Sequence, residues 1–173
     1  MSITKTSEYI DRFEISQNIH TTPKLQASID FYEPQYLIKL FGKELYDLFI
    51  ADLDPVTGLP QTQRFIDVWD PIYIEEQYCF CEHDLNSDGI PEMLKGFNYF
   101  EYTRKQSHQN TIVGNVRSDA ENSSNIMNYN SYMIEIYNIA VLSFKTIRHI
   151  LKTEPDVYPE YKGCDLEFTT PIF

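Results

Sequence analysis

SSNIMNYNSYMIEIYNIAVLSFKTIRHILK, residues 123–152, carries apolar side chains at three- and four-residue steps: Ile126, Tyr129, Met133, Ile136, Ala140, Ile147 and Ile150. This is the period of one helix face, sustained over about seven turns. Tyr137, Phe144 and Leu151 widen the stripe. At 1.5 Å per residue the helix is roughly 45 Å long, with Asn122, Ser123 and Ser124 as ready N-caps. A stripe of this kind is buried within its own domain or turned against another subunit, and the first is the commoner use.

Upstream the pattern is less regular. Residues 107–124, SHQNTIVGNVRSDAENSS, are polar and turn-rich, with room for a short strand over 111–116. The stretch 93–105, MLKGFNYFEYTRK, fits a helix with Met93, Phe97 and Phe100 aligned, or a strand in which Phe97 and Tyr99 alternate with Asn98 and Phe100; the helix is favoured. Ile72, Ile74, Tyr78 and Phe80 alternate with Tyr73, Glu75, Cys79 and Cys81, a strand period that Glu76 interrupts. Residues 61–69 read as a short helix with Phe65, Val68 and Trp69 inward, ended by Pro71.

Before them DPVTGLP, residues 54–60, is a loop. Leu37, Leu40, Phe41, Leu45, Leu48, Phe49 and Leu53 align on a helix expected to begin at Pro34, a residue favoured at a first helical position, and to run to about Asp52. Gly42 interrupts it, at a cost of about 1 kcal/mol relative to Ala, so either a bend or a close backbone neighbour is expected there. The fold class is therefore mainly α: a helical bundle with one long C-terminal helix, a small β-hairpin or short strands, and extended terminal arms. Three parts follow: a polar arm at 1–22, a helical domain at 23–154, and an aromatic arm at 155–173, where Pro155 and Pro159 stop the helix and Tyr158, Tyr161, Phe168, Ile172 and Phe173 lack helical period. That last arm either folds back over the domain or docks on a neighbour.

The chain of 173 residues suits one domain. Its 26 acidic against 14 basic residues give a net charge of -12, which argues against binding duplex nucleic acid, since that needs lysine and arginine to displace counterions. The acidity serves solubility, or lines a channel that repels phosphate. Phe and Tyr number 11 and 13, a composition suited to large contact surfaces. No segment has signal-peptide or membrane-spanning character, and Cys79, Cys81 and Cys164 form an odd, unpatterned set that fits reduced thiols; a cytoplasmic place of synthesis is expected.

Oxygen ligands recur in DLNSDGIPE, residues 84–92. Asp84, Asn86, Asp88, the Ile90 position and Glu92 could converge on calcium around Gly89, since calcium takes six to eight oxygens. The twelfth position, where an EF-hand needs a bidentate glutamate, is Lys95, so a full EF-hand is excluded. The shorter loops of integrin-type propeller repeats, closed by an acid at the ninth position, fit better. The competing reading is an Asp-Gly turn with acids at a helix start. Cys79, Cys81 and His83 are spaced too tightly for an ordinary zinc site. No Gly-x-Ser-x-Gly elbow, phosphate-binding glycine loop or His-Glu-x-x-His pattern occurs. His20, His83, His108 and His149 are dispersed along the chain, and His149 is explained as a cation at a helix C-terminus. The chain is expected not to be an enzyme and to require no cofactor, with calcium as the one candidate ion.

In order along the chain, SIDFYEPQYLIKLFGKELYDLFIADL (28–53), LKGFNYFEYTRKQ (94–106), TIVGNV (111–116) with its SDAENSS continuation, the long aromatic helix and YPEY (158–161) resemble the head-to-tail connector proteins of tailed bacteriophages. These adaptor or head-completion proteins are of the form found in phages of gut Bacteroidales, including crAss-like phages. The resemblance covers about residues 25–162 and rests mainly on Phe41 to Tyr46 and on Lys95, Gly96 and Phe97. It implies a helical bundle whose copies form a ring, commonly twelvefold, between portal protein and tail, with DNA passing through the channel without specific binding. It implies a place at the head-tail junction of the virion, no membrane and no catalytic residues. Within it, acids could face the channel and terminal arms could clasp neighbours. The competing reading is a calcium-dependent protein-binding module.

Overall fold

Four helices and two small antiparallel hairpins make up the described residues, 2–74, 85–111, 114–117 and 126–163, of the computed structural model. Two single 3-10 turns, Thr6–Glu8 and Asp11–Phe13, precede helix α1, Thr21–Asp52. Then come α2, Gln63–Trp69; strand β1, Ile72–Ile74; β2, Leu85–Ser87; α3, Ile90–Ser107; β3, His108–Thr111; β4, Gly114–Arg117; and α4, Ile126–Thr153. In the first hairpin Ile72 faces Ser87 and Ile74 faces Leu85; in the second His108 faces Arg117 and Thr111 faces Gly114. The fold is mainly α, with the long C-terminal helix where the periodicity placed it. Residues 90–107 are helix, as favoured over strand. Tyr78, Phe80, the three cysteines and the N-cap candidates of α4 lie outside the described residues.

Helix α1 begins at Thr21, well before Pro34, which sits inside it. The expected start at Pro34 is therefore corrected. An internal proline removes one backbone bond and costs about 3 kcal/mol, but Leu25 and Ile29 upstream are fully buried, and each such burial contributes about 1.5–3 kcal/mol. Their burial outweighs the proline.

The second interruption wins. Gly42 has φ 74° and ψ 165°, a region open almost only to glycine, and it breaks α1 in two. Nothing lies within 4 Å of where a Cβ would stand, so Gly42 supplies a bend and not a close approach. The buried face carries on across the bend at four-residue steps. Leu45, Phe49 and Leu53 remain buried beyond it, whereas Leu48, expected on the same face, is exposed.

Helix α3 is the central element, packed against both α1 and α4. At Gly96 a Cβ would come within 2.9 Å of the Ala140 Cβ, so the two helices approach as closely as the absence of a side chain permits. Beside it Phe97 is fully buried. Its ring stacks on Tyr36 at 4.1 Å and 4° and meets Tyr137 and Phe144 edge-on at 5.7 and 6.3 Å. Of the expected stripe on α4, Met133, Ile136, Tyr137, Ala140, Phe144, Ile147 and Leu151 are buried within the chain. A second aromatic group, Phe41, Phe49 and Phe65 with Trp69 at its edge, ties α2 to the outer half of α1.

Both ends of the described chain lie against this bundle. In the N-terminal arm Tyr9 and Phe13 are buried with Leu25, Ile29, Tyr99, Tyr102 and Ile136. After α4, Tyr158 turns back into the core and donates a hydrogen bond to the Arg64 carbonyl at 2.5 Å. The C-terminal arm thus folds back through residue 163, and residues 164–173 lie outside the described residues.

Replacing Gly96 by valine should destabilise the protein by about 1–3 kcal/mol, the usual cost of overpacking. The double variant Gly96→Val/Ala140→Gly should recover part of the loss. Urea midpoints of the two variants and the wild type measure both effects.

Candidate functional site

The strand-turn-helix from Leu85 to Glu92 is held from two sides. The Thr146 hydroxyl on α4 donates to the Asn86 carbonyl at 3.0 Å, and the Asp88 amide donates to the Ser143 hydroxyl at 3.2 Å. The Gly89 amide donates to the Ser87 hydroxyl at 3.1 Å. Gly89 has φ 88°, and a Cβ there would stand 2.2 Å from the Trp69 carbonyl oxygen, so both conformation and space demand glycine. Ile90 is fully buried and opens α3.

Within this frame Asp88 and Glu92 converge on a cation, and that cation is Arg12 of the N-terminal arm. Its Nη2 lies 2.7 Å from Asp88 Oδ2 and 2.8 Å from Glu92 Oε2. Lys95 pairs with the other Glu92 oxygen. The Arg12 and Lys95 charges also stand over the Phe13 ring, at 4.8 and 5.5 Å. Burial acts to lower the Arg12 pKa, but the bonds to Asp88 and Glu92 raise it overall. Asp84 lies outside the described residues, as do Cys79, Cys81 and His83. Among the described residues no three His, Cys, Asp or Glu side chains gather as a metal site would require. The two loop acids that are brought together act as the socket for an arginine.

The arm has a second socket farther up α1. Glu33 is buried, and its carboxylate accepts the Ile3 amide at 2.8 Å, the Thr4 amide at 2.9 Å and the Thr4 hydroxyl. The Thr4 and Tyr9 hydroxyls are 3.2 Å apart. Burial raises the Glu33 pKa and outweighs the hydrogen bonds from Thr4 and Ile3 that lower it. Burial likewise pushes the Tyr9 hydroxyl well above the usual tyrosine range. Tyr132 on α4 donates to the Arg12 carbonyl at 2.7 Å, a third tie.

Neither Glu33 nor Arg12 was singled out by sequence reasoning. Glu33 did leave a signal: it falls four residues after Ile29 and four before Leu37, on the buried face. An acid at a core position needs partners. Arg12 left none, because its partners are 76 and 80 residues away.

No family model matches the chain, and no curated protein or solved structure matches it. No helix among the described residues is long and apolar enough to cross a membrane.

Two outcomes follow for the sockets. Glu33→Ala should leave the Ile3 and Thr4 amides unpaired, destabilise the protein by about 1–3 kcal/mol and abolish hydrogen-exchange protection at those amides. Because the Glu33 pKa is raised in the folded state, its contribution is most favourable below the ordinary glutamate value of about 4.3 and is lost as pH rises through the raised value. The stability of wild type relative to Glu33→Gln should therefore fall as pH rises from about 4 toward 7, read from urea midpoints.

Calcium bound through Asp88 and Glu92 has to displace Arg12 and Lys95. Calorimetry should therefore show any calcium affinity of Arg12→Ala to exceed that of wild type by up to about fivefold, and calcium binding to wild type should lower the protection of the amides of residues 10–13. Arg12→Ala should cost no more than about 1 kcal/mol, since the pairs are partly exposed and screened by solvent.

Proposed function

We propose that this chain is a virion structural subunit, one copy of an oligomeric ring, twelvefold in the family it resembles, that joins the portal of a tailed-phage capsid to the tail and lines the DNA channel. The observation that carries this reading is the coincidence between the residues of the resemblance and the residues that shape the bundle. Gly42, within the Phe41 to Tyr46 run, makes the bend in α1. Gly96 sets the α3–α4 approach, and Phe97 stacks on Tyr36 at the centre of the core. The resemblance thus rests on positions that set the architecture of the bundle.

The charge supports the same reading. A net charge of -12 suits a channel wall that repels the phosphate backbone and lets DNA slide. Activity then consists of assembly: the chain acts on portal, tail or other connector proteins as a shaped surface, made in the host cytoplasm and ending at the head-tail junction. It requires no cofactor and no membrane.

Mixed with purified portal protein, the chain should co-migrate with it on a sizing column and add a ring of density to one end of the portal in electron micrographs. Separate migration at every salt concentration would count against the proposal.

A further inference from the structure

The seated N-terminal arm carries two features that a fully relaxed contact would lack, and both lie where it meets the bundle. Asp11 has φ 53°, in the left-handed region where a side chain crowds its own backbone and which glycine enters freely. It is the one non-glycine residue at positive φ among the described residues. The strain has a local use. Ile10 before it is 57% exposed, whereas after it Arg12 reaches Asp88 and Glu92 and Phe13 is buried, so the turn at Asp11 brings the chain down onto the bundle.

The second feature is Asn98 on α3. It is fully buried, and neither its amide nitrogen nor its amide oxygen has a hydrogen-bond partner among the described residues. Burial raises the Tyr9 pKa, and the Asn98 amide facing that hydroxyl acts against the rise, but without the distance and angle of a bond. A buried amide left unpaired has given up its bonds to water for nothing. Tyr9 is thus seated over a polar group that opening of the arm would satisfy.

Against these two costs stand the burial of Tyr9 and Phe13, the Glu33 socket, and the Arg12 pairs, which are partly exposed and screened. Bonds within the arm join it into one piece: the Phe13 amide donates to the Ile10 carbonyl at 3.0 Å and the Ile15 amide to the Tyr9 carbonyl at 3.3 Å. At its far end α1 is capped without it. The Asn18 side-chain oxygen accepts the His20 and Thr21 amides at 2.8 and 2.9 Å, and the Thr21 hydroxyl accepts the Asn18 amide at 2.8 Å and donates to the Ser16 carbonyl at 2.7 Å. This turn holds the helix start whether or not the residues before Ser16 are seated. One exposed bond, from the Gln17 side chain to the Thr6 carbonyl, crosses from the turn to the arm.

We infer that residues 2–15 form a strap that opens from the bundle as one unit, hinged at the turn from Ser16 to Thr21, while helices α1 to α4 stay folded. Opening releases Asp11 from the left-handed region, gives the Asn98 amide to water and uncovers Leu25, Ile29, Tyr99 and Ile136, the apolar residues packed under Tyr9 and Phe13. That groove can be bound only in the open state, so the strap is an inhibitory cover on it. The inference does not depend on the ring reading.

Amide exchange on the full chain in low urea, followed by NMR, tests it. The backbone amides of Ile3, Thr4, Phe13 and Ile15 and the side-chain amide of Asn98 should share one opening constant with a small urea slope, at least about tenfold above that of the Phe97 and Ala140 amides. Added salt should raise the shared constant. Asp11 is exposed, so its variants fold, and the constant of Asp11→Ala should exceed that of Asp11→Gly by about threefold or more, since only glycine is at ease in the left-handed region. Arm amides that exchange only with Phe97 and Ala140, or each at its own constant, would overturn the inference. So would Asn98 side-chain protons that exchange only with the helices, a constant that falls with salt, or an Asp11→Gly constant at or above that of Asp11→Ala.

Discussion

The approach of α3 to α4 at Gly96 and Ala140 is the constraint from which the rest of the bundle follows. A Cβ on Gly96 would sit 2.9 Å from that of Ala140, inside van der Waals contact, so the spacing of the two helices depends on one missing side chain. Once they are that close, Phe97 has nowhere to go but between Tyr36, Tyr137 and Phe144. The parallel stack with Tyr36 then brings α1 onto α3, and the Tyr36 hydroxyl donates to buried Glu101 at 3.1 Å. Substantial aromatic area is buried around one glycine, and aromatic pairs of this kind contribute about 0.5–1.5 kcal/mol beyond the area they bury.

On this frame the N-terminal arm is held by two carboxylate sockets of different character. Glu33 is enclosed and binds two backbone amides and the Thr4 hydroxyl, so it fixes the path of the chain at Ile3 and Thr4. Asp88 and Glu92 are partly exposed and bind one arginine, an interaction that salt and solvent weaken. Between them Tyr9 and Phe13 are buried, so most of the holding energy is apolar burial and the sockets set the register.

The elements legible in the sequence were those whose signal is local and periodic. The stripe on α4 is regular enough that its length and buried face could be read directly, and Met93, Phe97 and Phe100 favoured a helix for the same reason. The start of α1 was misread because proline is a strong local marker, while the burial of Leu25 and Ile29 that overrides it depends on an arm many residues upstream. Leu48 shares the apolar face by spacing but lies at its exposed edge, beside buried Leu45 and Phe49, and at Gly42 a glycine announces a bend or a close neighbour without saying which. At Asp88 and Glu92 the sequence showed converging acids but not their cation, since a long-range partner such as Arg12 has no spacing that identifies it.

The proposal that this chain is a connector is tested most directly by its location in a phage particle. Antibodies raised against the chain and visualised by electron microscopy on virions, with tails detached to open the junction, should label the site between capsid vertex and tail and no other. Label on the capsid faces, along the tail shaft or at the tail tip, or virions that contain none of the chain, would contradict it.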